Sequence, residues 1–293
     1  MHVARHGGIF DMRMLINLGD MCNMTCSYCL NSRGGRREQC MDLDTLRAAV
    51  SMAHRMIAST VLLYGGEPTV YPYILTAVNE LHVKRVMLLT NGLLSSRLVE
   101  MADASQSPLT VYVTVHHEYW LAHRDEYARA LLEDYKLAWH DRVPWFRLQV
   151  LIDVKYMDVT CDIVEWLLTN VDLKHVNVGF VRRSETHEEY VRTYIAAKRR
   201  LPAVIVSKLA STHATLPTIN PYYGQPCPCF ANYVMVNADG SVQSSGCPQP
   251  VMAGVITDTA FTLTPCMVTC RQQTVGGFEN CRYSRGVASV DDE

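Results

Sequence analysis

The stretch CNMTCSYC, residues 22–29, sets Cys22, Cys26 and Cys29 at spacings of three and then two intervening residues. Three thiols this close together are first of all a soft-metal site, because thiolates are the usual ligands of iron–sulfur clusters and of zinc. A cubane [4Fe–4S] cluster normally takes four protein thiolates, and the local run stops at three. One iron would then stand open for an exogenous molecule, much as a catalytic zinc keeps an open position. The competing readings of the same residues are a zinc knuckle whose fourth ligand lies elsewhere and three unrelated buried thiols.

Outward from this loop the chain alternates between two periodicities. Residues 13–18 read as a short strand that delivers the cysteine loop at its carboxyl end, where α/β barrels place their chemistry. Residues 42–57 carry Leu43, Leu46, Val50, Ala53 and Ile57 at helical spacing, with Asp42 or Asp44 able to cap the start. The pattern repeats with strand 60–64 and a helix start near Tyr71, then strand 85–89 and helix 95–104. Strand 110–115 precedes a helix from Arg124 to Trp139, strand 146–153 a helix over 159–170, and strand 175–181 a helix over 185–200. Six alternations imply a parallel sheet with right-handed crossovers.

Several strand ends carry polar punctuation. After the second strand come Tyr64, Gly65, Gly66, Glu67 and Pro68; paired glycines let backbone approach a ligand closely, and a carboxylate there can accept hydrogen bonds from an ammonium group. The third strand ends in Thr90, Asn91 and Gly92, and Asn–Gly is by itself a common turn. The fourth ends in Thr114, His116, His117 and Glu118, the fifth and sixth in Gln149, Asp153, Asn177, Arg182 and Arg183. An arginine at such a position can clamp a carboxylate by a bidentate pair. Cys40 and Cys161 have no neighbouring cysteine and read as inert small side chains.

Beyond Leu201 the composition changes, which divides the chain into residues 1–201 and 202–293. Pro202, Pro217, Pro221, Pro226 and Pro228 work against any long helix. Six of the eleven cysteines (Cys227, Cys229, Cys247, Cys266, Cys270 and Cys281) lie in this part. Within it YVMVNADGSVQSS reads as a β-hairpin turning at Asp239 and Gly240.

The cysteine run, with the aromatic Tyr28 before its last member, resembles the signature of the radical S-adenosylmethionine (SAM) enzymes. That resemblance implies an α/β fold, a partial (β/α)6 TIM-type barrel, with a small cysteine-rich C-terminal extension containing a β-hairpin. It implies a [4Fe–4S] cluster on Cys22, Cys26 and Cys29 whose open iron chelates SAM, and a reduction that yields a 5′-deoxyadenosyl radical. An external reductant such as flavodoxin or ferredoxin would supply the electron. Gly65, Gly66, Glu67 and Pro68 resemble the family's GGEP segment, which contacts the methionyl amino group, and Thr90 and Asn91 its TNG segment. Tyr28, Thr114, His116 and Arg182 complete the candidate SAM-binding set. The C-terminal cysteines resemble SPASM and twitch extensions, with Cys229, Cys247, Cys266 and Cys270 as candidate ligands of an auxiliary iron–sulfur cluster and zinc as the alternative. The spacing departs from that pattern: six residues separate Gly240 from Cys247 where four are usual, and a close cysteine pair is missing. A peptide substrate is the reading this tail favours, with a nucleotide, a nucleic-acid base or a small metabolite as the alternative. A non-catalytic iron–sulfur or zinc protein would have no use for GGEP.

Composition sets the outer bounds. At 293 residues with 48% hydrophobic and 19% charged residues, the chain can bury a full core. A formal charge of −2 gives no general attraction to nucleic acid or to an anionic membrane. The first residues lack the apolar core of a signal peptide, and no run of about 18 apolar residues occurs. A cytoplasmic location is expected, where an odd number of cysteines favours metal ligation over disulfides.

Overall fold

The structure is a computed structural model that describes residues 12–29, 39–180, 187–212, 218–219, 226–229, 233–244, 252–256, 266–269 and 274–275. Its frame is the expected alternation: β1 (Arg13–Asn17), α1 (Leu43–Arg55), β2 (Thr60–Tyr64), α2 (Ile74–Glu80), β3 (Arg85–Thr90), α3 (Ser95–Ala104), β4 (Leu109–Val115) and α4 (His117–Tyr135). β5 (Trp145–Ile152), α5 (Met157–Asn170), β6 (Val176–Phe180) and α6 (His187–Arg200) complete it. β1 to β6 pair in chain order, each parallel to the next. This is the α/β architecture expected of a partial barrel.

The strands bury alternate residues, as a pleated sheet covered by helices on one face requires. Met14, Ile16, Val61, Leu63, Phe146 and Leu148 are at most 1% exposed and share one core with Leu46, Met101 and Leu167 of the helices. The other face carries Asn17, Tyr64, Leu89, Tyr112, Arg147 and Gln149, which are half-buried or exposed.

Local chemistry explains the element ends. Asp42 caps α1 by accepting from Thr45 N at 2.7 Å. The same helix stops earlier than its spacing predicts: Ala58 N donates back to Ala53 O at 2.9 Å, with Ile57 left-handed between them at φ +52. That is a helix-terminating turn of the Schellman type, and it turns Ile57 out of the core to 85% exposure. α4 starts at His117, seven residues before the expected Arg124, with a kink at the non-helical His123 that breaks the periodicity of the sequence.

The C-terminal third departs further from expectation. A helix, α7 (Ala203–Thr212), follows Pro202 directly. Proline is tolerated at a helix start because the missing N–H would have no partner there, and its carbonyl accepts from Ile205 N and Val206 N at 2.9 and 3.1 Å. Four short strands then pair as two antiparallel ribbons, β7 (Thr218–Ile219) with β13 (Thr274–Val275) and β8 (Pro226–Cys229) with β12 (Cys266–Thr269). The expected hairpin forms from β9 (Tyr233–Val236) and β10 (Ser241–Ser244), turning through Gly240 at φ +77.

This hairpin, with β11 (Met252–Val255), belongs to the main sheet, whose order is β11-β10-β9-β1-β2-β3-β4-β5-β6. β9 runs parallel to β1 with Ile16 opposite Val236, so the strand that delivers the cysteine loop has a neighbour on both sides. No helix among the described residues is long and apolar enough to cross a membrane.

Val234 and Val236 are fully buried in the same core as the helices. Val234→Ala or Val236→Ala should therefore lower unfolding stability by about 2 kcal/mol each. All four tryptophans lie between residues 120 and 166, so their fluorescence in a urea titration reads the far side of the sheet. An unshifted midpoint in both variants would mean that the C-terminal strands unfold separately.

Candidate functional site

The loops after β1, β2, β3 and β4 meet at the carboxyl ends of their strands, and the start of the first is tied to the second by backbone hydrogen bonds. Gly66 N donates to Gly19 O and Glu67 N to Met21 O, both at 2.7 Å. The approach leaves no room for a side chain: a Cβ on Gly66 would stand 2.1 Å from Met21 O, and one on Gly65 2.4 Å from Gly19 O. The two glycines therefore serve the close packing of the segment that leads into Cys22.

Glu67 is 2% exposed and accepts four hydrogen bonds. Thr69 N, Thr69 Oγ1 and Thr90 Oγ1 reach Oε1 at 3.0, 2.6 and 2.7 Å, and Asn91 N reaches Oε2 at 2.6 Å. Burial pushes its pKa up, and these hydrogen bonds pull against the rise; four donors and no acceptor suit the ionised form. The carboxylate thus joins the GGEP and TNG loops. Pro68 opens the single 3-10 turn that carries Thr69. From Asn91 the connection continues to the first cysteine: Nδ2 donates to Asn23 Oδ1 at 2.7 Å and stands 4.0 Å from Cys22 Sγ, which also faces Met24 N at 3.4 Å.

Cys22, Cys26 and Cys29 are all partly exposed. Burial pushes the Cys26 thiol up to about 11, against the Tyr28 hydroxyl, and the charges of Cys22, Cys29 and Glu118 add to the rise. The three thiols thus lie within electrostatic reach of one another, and N–H groups point at Cys22. Such a donor set, soft thiolates supported by hydrogen bonds to sulfur, fits an iron–sulfur cluster. Among the described residues no three His, Cys, Asp or Glu side chains are placed to hold a single metal ion.

His116 caps α4 and turns Nδ1 toward Cys26 Sγ at 3.3 Å and Tyr28 Oη at 2.8 Å. Desolvation, with His117 beside it, lowers its pKa to about 4, against the charge of Glu118. Tyr28 is 6% exposed, with its ring stacked 5.9 Å from that of His116. The carbonyl of Thr114 accepts from Tyr127 Oη at 3.0 Å, and Tyr127 Oη also donates to Asn91 O at 2.8 Å. Ser27, Glu118 and Tyr156 form a hydrogen-bonded set around the same loop. Ser27 and Tyr156 carry no motif that marks them in the sequence.

Of the C-terminal candidates, Cys229 and Cys266 stand directly opposite each other in the β8–β12 ribbon. Cys247, Cys270 and Arg182 lie outside the described residues.

Residues 16–135 match the family model of the radical SAM superfamily, a span that runs from β1 through α4. The chain is 34% identical over 92 residues to a GTP 3′,8-cyclase of Mannheimia succiniciproducens, a match covering 29% of this chain and 27% of the cyclase. The chain thus spans about a quarter of that curated relative. Among solved structures it resembles native anSMEcpe with bound AdoMet and the Kp18Cys peptide, at TM-score 0.56 and 16% identity, covering 84% of this chain and 77% of that one. His6-tagged anSMEcpe with bound AdoMet gives TM-score 0.56 at 15% identity, over the same 84% and 77%. These structural likenesses bear on the fold alone, a mostly parallel α/β sheet with helices.

One buried acid beneath the site went unread in the sequence. Asp134 shares a helical face with Tyr127 and Leu131, is fully buried, and has no hydrogen-bond partner on either oxygen among the described residues. It lies against Gly92, where a Cβ would stand 2.5 Å from its Oδ2. An aspartate at a core position of an amphipathic helix was the available signal. Desolvation pushes its pKa from an ordinary 3.8 to about 8, the Ser95 hydroxyl opposing and Glu67 and Glu133 adding to the rise. Between those values the folded protein holds a proton that the unfolded chain has released, so Asp134 costs stability as pH rises from about 4 to about 8. Urea midpoints of Asp134→Asn and the parent protein should lie closest at about pH 4 and separate progressively toward about pH 8, with the variant more stable at the higher pH. Parallel curves across that range would contradict the assignment.

Proposed function

We propose that this protein is a radical SAM enzyme whose cluster is held by Cys22, Cys26 and Cys29. The observation that carries the reading is the cysteine loop at the carboxyl end of β1, hydrogen-bonded to the GGEP segment and, through Asn91, to the TNG segment. A [4Fe–4S] cluster with SAM on its open iron would supply, once reduced by a flavodoxin- or ferredoxin-type donor, a 5′-deoxyadenosyl radical for hydrogen abstraction. The chain contributes placement. Glu67 sets the spacing of two loops with its four hydrogen bonds, and the backbone of Gly65 and Gly66 brings the third alongside. Tyr28 and His116 wall the site beside Cys26, and His116, held neutral by its burial, offers no charge to a cationic methionyl group. The half-buried residues of the sheet's other face, Tyr112, Arg147 and Gln149, form a surface on which a substrate would lie.

The substrate we favour is a peptide. The C-terminal third supports this reading, because its cysteines resemble the extensions of peptide-modifying members and its hairpin is built into the main sheet beside β1. Cys229 and Cys266, paired in register, would with Cys247 and Cys270 hold an auxiliary iron–sulfur cluster, or zinc in its place. The fold likeness to anSMEcpe, whose structure carries AdoMet and a peptide, covers 84% of this chain. A nucleotide is the second reading, favoured by the match to the GTP 3′,8-cyclase.

Anaerobically reconstituted and reduced protein should convert SAM to 5′-deoxyadenosine, measured by liquid chromatography. Cys22→Ala, Cys26→Ala or Cys29→Ala should abolish that conversion, whereas Cys247→Ala should retain part of it. No 5′-deoxyadenosine from the parent protein would overturn the reading. Turnover stimulated by GTP and by no peptide would favour the nucleotide.

A further inference from the structure

The cysteine loop is gripped on its outer side by a carboxylate 91 residues further along the chain. Glu118, in the first turn of α4, accepts from Ser27 N at 2.8 Å through Oε2 and from Ser27 Oγ at 2.5 Å through Oε1. Oε1 also accepts from Tyr156 Oη at 2.5 Å. Ser27 lies between Cys26 and Cys29, whose turn is closed by Cys29 N donating to Cys26 O at 3.2 Å. Glu118 therefore holds the segment that joins two of the three thiols by both its backbone and its side chain.

The grip is braced from behind. Tyr156 stacks on His117 at 5.2 Å between ring centroids and 8° between planes. Its carbonyl accepts from Thr160 Oγ1 at 3.0 Å, and that oxygen accepts from His117 Nε2 at 3.0 Å. Each group is thereby fixed by a second element, the start of α4 by α5 and the turn after β5 by both. The first turn of a helix also favours an anion, through the unpaired N–H groups there. Burial raises the carboxyl's pKa, but the hydrogen bonds from Ser27 and Tyr156, with Lys155 nearby, outweigh it and hold Glu118 below the ordinary carboxylate range.

We propose that Glu118 is a positioning residue for the metal centre, fixing the turn between Cys26 and Cys29 and setting a permanent negative charge beside the cluster. This rests on the cluster reading above. A placed loop presents its thiolates in one geometry, and partners behind metal ligands are typically worth about 10–100-fold in affinity or activity. A fixed negative charge makes the added electron less welcome, since net charge and hydrogen bonding set the potential of iron–sulfur centres. Placement and charge can be separated by substitution. Glu118→Gln keeps an acceptor for Ser27 N and offers an amide to the two hydroxyls, which can rotate to accept. Glu118→Ala removes both grip and charge.

The test is an anaerobic comparison of the parent protein, Glu118→Gln, Glu118→Ala and Tyr156→Phe. Iron content, the midpoint potential by paramagnetic resonance, and SAM affinity from its perturbation of that resonance are measured for each. Glu118→Gln should hold iron fully, bind SAM within about threefold of the parent and show a more positive midpoint potential. Glu118→Ala should bind SAM about 10–100-fold more weakly, and Tyr156→Phe should fall between the two. Unchanged potential in Glu118→Gln, or SAM binding as weak there as in Glu118→Ala, would overturn the proposal. So would parent-like affinity in Glu118→Ala. If Glu118→Ala fails to fold, the potential of Glu118→Gln still decides. A parent protein that takes up no iron through Cys22, Cys26 and Cys29 overturns the cluster reading on which the proposal rests.

Discussion

A carboxylate without water must be given hydrogen bonds from inside the protein, and Glu67 receives four of them. Losing any donor would leave part of a buried charge uncompensated, which costs more than an exposed hydrogen bond returns. The loops after β2 and β3 are therefore locked in one relative position. That position is passed on to the first loop through Met21 O, and to Cys22 through the side chain of Asn91. The site thus rests on a carboxylate that is 2% exposed and held by protein donors alone among the described residues.

The glycines beside it follow from the same closeness. Gly65 and Gly66 lie so near the backbone of residues 19–21 that a methyl group on either would collide with a carbonyl oxygen. Their bareness brings two stretches of main chain together, and a ligand would meet the combined edge. Gly92 instead makes room for side chains: a Cβ there would stand 2.5 Å from both Asp134 Oδ2 and Val113 Cγ1. A buried acid there tolerates the site's other carboxylate by staying protonated over the neutral range.

β1 has β2 on one side and β9 on the other. An edge strand presents unpaired N–H and C=O groups and is the part of a sheet most open to alternative pairing. Placing the cysteine loop at the end of an interior strand gives it a fixed base. The grip of Glu118 on Ser27 and the contact of His116 with Cys26 bring the fourth loop to the same place.

The sequence by itself determined the alternation of strands and helices, the three thiols at the end of β1 and the turn at Gly240. Strand pleat, helical turn and loop spacing are set by residues only a few positions apart, so their pattern is legible along the chain. It also pointed to GGEP and TNG as parts of one site, though not to the four hydrogen bonds by which Glu67 joins them. It misread Ile57 and the start of α4, where a left-handed residue and a kink interrupt the periodicity, and it missed α7, where Pro202 opens a helix. Only the tertiary structure decided that β9 lies beside β1, that Asp134 sits bare against Gly92, and that Glu118 holds Ser27. These depend on which strands become neighbours and how closely their loops approach. A hydrogen bond spanning 91 residues leaves no periodic trace in the chain that makes it.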